Sequence, residues 1–113
     1  MKYWLLKTEP DDWSWNKQVK SGDKGAEWNG VRNFQAAKNL KNMKKGDKCF
    51  FYHTGKIKSI VGVVKVKKEA FKDKSDKTKK FVSIIVQALY PLKKQVSLSE
   101  IKKNKLFRDF SLV

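Results

Sequence analysis

The chain is poor in the residues that staple, coordinate or span. Its 113 residues include one cysteine, Cys49, and one histidine, His53. A lone cysteine excludes an internal disulfide, and with one histidine it cannot supply a His/Cys zinc site. No apolar run approaches 18 residues, and the one early apolar cluster, Tyr3-Trp4-Leu5-Leu6, is too short for a signal peptide. These absences point to a soluble protein of a reducing compartment, cytoplasmic or, in a eukaryote, nuclear, with no membrane partner. Arginine is scarce too: 25 of the 27 basic residues are lysine. Lysine excess can reflect a biased genome as much as a binding site, and arginine is the better reader of bases and phosphates.

Catalytic signatures are missing as well. There is no Gly-rich phosphate loop, no G-x-S-x-G and no HExxH. Cys49 and His53 fall on one face of a single expected strand, four residues apart. At ~3.3 Å per residue they stand about 13 Å from each other, beyond the hydrogen-bond reach of a nucleophile and its base. Glu9 and the pair Asp11-Asp12 sit beside a turn and a helix start, where carboxylates usually serve as caps. The residues read as a binding protein, not an enzyme, and imply no cofactor and no metal.

What is present suffices for one folded domain. A chain of this length buries roughly two-thirds of its unfolded surface, and it has 40% hydrophobic residues with fourteen aromatics to fill a core. The formal net charge is +16, from 27 basic against 11 acidic residues. Such an excess favours a polyanionic partner through counterion release. It carries affinity and no sequence information.

Taken in order, Tyr3-Trp4-Leu5-Leu6 predicts a strand that ends at Lys7-Thr8-Glu9-Pro10, where Pro10 removes a donor and biases Glu9 away from helix. Ser14 caps a short helix through Trp15 and Val19 that closes at Gly22, and Ser21–Glu27 reads as a polar turn. Asn33 is an N-cap for a helix with Ala36, Leu40 and Met43 at i, i+4, i+7, stopped at Gly46. Strands are expected over Lys48–Thr54, with both faces covered, over Ile57–Lys67, and over Phe81–Leu89 with Pro91 ending it. The segment 72–80 reads as a charged, solvated loop. Ser97-Leu98-Ser99-Glu100 is a capping box opening a last short helix. The apolar tail from Leu106 to Val113 reads as a further strand cut short. The order predicts an α+β fold, a small mixed sheet closing into a barrel with helices at its ends and side.

The densest hydrogen-bonding stretch is Trp28-Asn29-Gly30-Val31-Arg32-Asn33-Phe34-Gln35. It reads as a loop delivering Trp28, Arg32 and Asn33 to the positive end of a helix, where backbone N–H groups point outward. The competing reading has Trp28 plugging the core while the amides tie down a loop. A pocket for a flipped base needs an aromatic face, apolar walls and groups matched to the Watson–Crick edge. The Lys7–Pro10 corner, the 28–35 stretch and the Tyr52-His53-Thr54 strand end supply all three. His53 by itself is more often a structural histidine than a reader.

Four segments in order carry a resemblance: Lys7-Thr8-Glu9-Pro10 after the first strand; Trp28-Asn29-Gly30-Val31-Arg32-Asn33-Phe34-Gln35-Ala36; Phe50-Phe51-Tyr52-His53-Thr54; and Gly62 followed by Lys68-Glu69-Ala70-Phe71. Together they resemble the EVE domain family of the PUA-like superfamily. That resemblance implies a PUA-like mixed β pseudo-barrel with short flanking helices, spanning residues 1–113 as one domain. It implies a nucleic-acid partner and a pocket for a modified base, with 5-methylcytosine or another modified cytosine in DNA the leading candidate. The alternative is an RNA-binding module accessory to RNA modification or translation. Carried over by position, the pocket uses Lys7, Thr8, Glu9, Trp28, Val31, Arg32, Asn33, Gln35, His53 and Thr54. Thr8 and Thr54 stand where the family often has serine, which keeps the hydroxyl and adds a methyl. Family members usually continue beyond Val113 into an Arg-Gln-Ser-Arg-Leu-Ser-like strand, so the resemblance also implies a chain truncated at its C-terminus and lacking a final strand.

Overall fold

A computed structural model describes residues 3–97 and 111–112. Six strands form one mixed sheet: β1 (Tyr3–Thr8), β2 (Ala26–Trp28), β3 (Lys48–His53), β4 (Ser59–Lys72), β5 (Val82–Val96) and β6 (Ser111–Leu112). Their spatial order is β2-β5-β4-β3-β1-β6. Two helices, α1 (Trp15–Lys20) and α2 (Phe34–Asn42), flank the sheet. The architecture is the expected α+β pseudo-barrel, with the sheet left open between its edge strands β2 and β6.

Burial explains why consecutive apolar residues make the central strands. Trp4, Leu5 and Leu6 of β1 are all buried, as are Cys49, Phe50 and Phe51 of β3, so both faces are covered. Trp4, Leu6, Cys49 and Phe51 join Leu40 and Met43 in the larger core. Leu5 and Phe50 turn the other way and meet Ile60 and Val63. The period of two decides which side chain goes where. β1 runs parallel to β3, with Leu5 opposite Phe50 and Lys7 opposite Tyr52. The β3–β4 and β4–β5 pairs are antiparallel and carry register shifts, which bend long strands toward closure.

The helices start where capping chemistry places them. Ser14 Oγ accepts from Lys17 N at 3.1 Å, and Asn33 Oδ1 accepts from Ala36 N at 3.0 Å. Gln18 of α1 is wholly buried; its Nε2 donates to Val86 O at 3.0 Å and its Oε1 accepts from Trp13 Nε1 at 2.8 Å. A buried amide with both ends satisfied fixes α1 against β5. Trp15 lies on Gly62, where any Cβ would come within 2.4–2.6 Å of three indole carbons.

The structure corrects several sequence readings. The supposed polar turn at Ser21–Glu27 contains a short 3-10 helix (Gly22–Lys24) and the start of β2. Three residues are too few to show a strand period, and β2 exists because Trp28 pairs opposite Ile84 of β5. Helix α2 ends before Gly46, at an extended Met43; Gly46 instead turns the chain at φ +94 and donates its N–H to Val66 O at 2.8 Å. Pro91 does not end β5 but stands opposite Gly62 beside a register shift. β2 covers only Ile84–Val86, so Pro91 faces no second ladder there, and proline is tolerated at such bulges and edges. The 72–80 segment is not simply solvated, because Asp73 and Asp76 are buried in it. The capping box beyond Ser97, the whole expected last helix and most of the tail lie outside the described residues. Within that tail, Ser111 and Leu112 pair in parallel with Trp4 and Leu5. Among the described residues no helix is long and apolar enough to cross a membrane.

Candidate nucleic-acid interface

The 28–35 stretch is held by a partner more than forty residues away. Gly30 takes φ +76, a conformation glycine adopts without penalty. This aims its N–H at Asp73 Oδ2, 2.8 Å away. Arg32 Nη1 donates to the same oxygen at 3.1 Å and to Val31 O at 3.1 Å. Its Nη2 donates to Ser75 Oγ at 3.0 Å. Asp73 Oδ1 in turn accepts from the Ser75 N–H and hydroxyl at 2.8 and 2.6 Å. Desolvation pushes the Asp73 carboxyl up, but the Ser75 hydroxyl, the Gly30 and Ser75 N–H groups and Arg32 together outweigh it and hold the pKa at about 2. The arginine is thus aimed by a charge-assisted pair whose carboxylate is buried and whose guanidinium stays accessible.

A groove of about 370 Å³ opens along this stretch, lined by Lys7, Asp12, Trp28, Asn29, Gly30, Val31, Arg32, Asn33 and Ala36. A cavity of about 210 Å³ shares Asp12, Trp28 and Asn29 with it and extends toward Trp13 and Glu27. The groove lies at the lower end of the size range of small-ligand sites. Trp28 is 9% exposed and meets Phe51 edge-on at 5.7 Å and 82°. It is therefore a core residue, as the competing reading had it, and it also lines the groove. Val31 packs partly into the same core.

The other expected residues are placed elsewhere. Glu9 and Thr54 line a separate pocket of about 420 Å³, with Pro10, Asp11, Gly55, Lys56 and Ile57. Thr8 joins the two strand ends, its carbonyl accepting from Thr54 N at 3.0 Å. Gln35 is exposed and donates to Asn39 Oδ1 at 3.3 Å, outside the groove lining. His53 is buried; its Nε2 accepts from Trp15 N at 3.3 Å, so the ring proton resides on Nδ1. That nitrogen meets no acceptor at full hydrogen-bond geometry, and the Thr8 backbone offers it only a weak interaction. Burial pushes the imidazole below its ordinary pKa, against a smaller opposite pull from the Thr8 backbone, so the ring is neutral at pH 7. Lys7, Trp28, Val31, Arg32 and Asn33 thus line the groove, Glu9 and Thr54 line the neighbouring pocket, and Thr8, His53 and Gln35 line neither.

Sequence reasoning missed Asp12, Asn29 and Gly30 on the groove, and Asp73 and Ser75 behind it. A signal for the last two existed. Asp73-Lys74-Ser75 and Asp76-Lys77-Thr78 repeat the Asp-x-Ser/Thr spacing in which a carboxylate accepts from the backbone and hydroxyl two residues on. Burial pushes the Cys49 thiol far above its usual range, with the Asp47 carboxylate adding to the effect, so Cys49 is no nucleophile at neutral pH. Among the described residues no cluster of His, Cys, Asp or Glu could hold a metal.

The EVE domain profile matches residues 2–113. The chain belongs to the EVE domain family. Thymocyte nuclear protein 1 of Gallus gallus is 33% identical over 128 residues, covering 92% of this chain and 53% of that protein. The chain therefore spans about half the length of the curated relatives it matches. A protein of Rhodopseudomonas palustris, solved by NMR, superposes with a TM-score of 0.83 at 40% identity, over 96% of this chain and 75% of that one. Human THYN1 protein, solved in complex with 5-methylcytosine containing DNA, superposes with a TM-score of 0.79 at 29% identity, over 90% of this chain and 74% of that one.

Proposed function

We propose that this EVE domain binds nucleic acid and holds a modified base, modified cytosine in DNA, in the groove between Trp28 and Arg32. The observation that supports it most is the likeness to human THYN1 protein in its complex with 5-methylcytosine containing DNA. The groove supplies what such a base needs: indole surface from Trp28, an apolar wall from Val31, and donors from Arg32 and Asn29. Lys7 at its rim and the +16 formal charge supply phosphate attraction. The activity is recognition without catalysis, in keeping with a buried, protonated Cys49 and a buried His53 whose Nε2 is taken up by the Trp15 N–H.

The test is a binding screen with oligonucleotides of one sequence that differ in a single cytosine modification, as DNA and as RNA. Modified DNA should bind about ten-fold tighter than unmodified DNA, a difference of about 1.4 kcal/mol. Equal affinity for modified and unmodified DNA overturns base reading, and preference for the RNA series transfers the protein to the RNA-binding alternative.

A further inference from the structure

A second surface, outside the groove, carries its own nucleic-acid chemistry. Phe34, the first residue of α2, is 70% exposed. A large aromatic so exposed has no role in the core. It is nevertheless fixed, because its ring stacks on Phe81 with centroids 5.2 Å apart and planes 28° from parallel. The Arg32 guanidinium carbon stands 5.3 Å from the centroid of that same Phe81 ring. Phe81 is itself buried, and Asp76 Oδ2 accepts from its N–H at 2.8 Å.

Charge around Phe34 is sorted by geometry. All four carboxylate oxygens of Asp73 and Asp76 accept hydrogen bonds from the protein, those of Asp76 from Thr78, Lys80 and Phe81. Both residues are buried. The Asp76 carboxyl is held at about 2, first by the Thr78 hydroxyl and then, against some desolvation, by those N–H groups. The lysines between and after them, Lys74 and Lys77 among them, are exposed. On α2, Lys38 is exposed one turn beyond Phe34 on the same side, and the helix contains no acidic residue. The loop that clamps Arg32 therefore turns its acids inward and its lysines outward, beside an exposed, pre-stacked aromatic ring.

We propose that Phe34 is a stacking platform for an unpaired base of the bound strand, with Lys38, Lys74 and Lys77 holding the neighbouring phosphates. The inference rests on the proposed nucleic-acid partner but not on base reading. An aromatic face is sequence-tolerant, because every base offers a π-surface. The platform adds affinity without discrimination, in contrast to the groove.

The test measures fluorescence anisotropy with single-stranded oligonucleotides of one length, unmodified and modified, against wild type, Phe34→Ala, Phe34→Leu and Phe34→Trp. Phe34→Ala and Phe34→Leu should each weaken binding roughly five-fold or more, by the same factor for both oligonucleotides, with Phe34→Trp retaining wild-type affinity. The leucine variant keeps apolar cover over Phe81 and so separates stacking from folding. Replacing Lys38, Lys74 and Lys77 by glutamine should lower the log-log salt slope by roughly 0.7 for each single-strand phosphate that is no longer neutralised. If base reading fails, modified and unmodified oligonucleotides bind alike, yet both still weaken in the Phe34 variants. Unchanged affinity in the alanine and leucine variants overturns the platform and leaves Phe34 to a protein partner. A loss confined to the modified oligonucleotide also overturns it, by placing Phe34 in the base pocket.

Discussion

Two concavities of similar size among the described residues are built in different ways. The corner at Glu9 and Thr54 encloses about 420 Å³ and the groove at Trp28 and Arg32 about 370 Å³. Volume therefore does not choose between them. The corner joins two strand ends through backbone bonds, from Thr54 N–H to Thr8 O and from the Asp12 and Trp13 N–H groups to Glu9 O. The groove has one wall in the core, through Trp28, and its arginine held by Asp73 and Ser75 from across the chain. A site that must hold a base in one pose needs its groups locked by packing and by a supporting shell of hydrogen bonds. Anchoring, not size, marks the groove as the better candidate.

The largest effect should come from Trp28. Trp28→Ala removes a buried indole and should destabilise the fold by about 3–5 kcal/mol, seen as a large drop in melting temperature. Trp28→Phe should fold and bind modified DNA more weakly than wild type. If Trp28→Phe keeps full affinity and discrimination, the corner gains over the groove.

Next comes the anchor. Asp73→Ala leaves the Gly30 N–H and Arg32 without their acceptor and should lower stability by about 2–3 kcal/mol. Asp73→Asn should reduce discrimination while the protein stays folded. Acid titration gives an independent reading. With folded pKa values of about 2 for Asp73 and Asp76 against 3.8 ordinarily, the folded state binds these protons less readily than the unfolded chain. Their contribution is complete above about pH 4 and is lost as pH falls toward 2. His53, whose pKa is lowered from 6.5, should withdraw stability at an earlier stage, as pH falls below 6.5. Following unfolding by denaturant at each pH should show both steps in wild type, and the lower one reduced in Asp73→Asn.

A smaller effect is expected at the helix start. Asn33→Ala removes a cap worth on the order of 1 kcal/mol, and thermal unfolding measures it. Affinity that falls far more than this loss of stability explains would mean that Asn33 also touches the ligand.

The smallest effect should be at the corner. Glu9 is exposed, and Glu9→Gln should change stability by less than about 0.5 kcal/mol and leave discrimination among modified oligonucleotides intact. Loss of discrimination in this variant would move the base site from the groove to the corner and reverse the comparison.

Local chemistry is legible in the amino-acid sequence itself. Tyr3–Thr8 and Lys48–His53 are strands because runs of apolar residues with β-branched or aromatic character must be covered on both faces. Ser14 and Asn33 cap helices because their side-chain oxygens reach an N–H three residues on. The family blocks at Lys7–Pro10, Trp28–Ala36 and Phe50–Thr54 could be read for the same reason, as they are contiguous in sequence. Tertiary structure alone decided what depends on distant partners. β2 exists through its pairing with β5, Pro91 survives inside a strand because of where the ladder shifts, and Arg32 points where Asp73 holds it. Most of all, it set five of the expected pocket residues along the groove and two along the corner, and left Thr8, Gln35 and His53 on neither. Side chains near in sequence diverge once alternate strand positions face opposite sides, and a carboxylate 41 residues away can meet an arginine only after the sheet has formed.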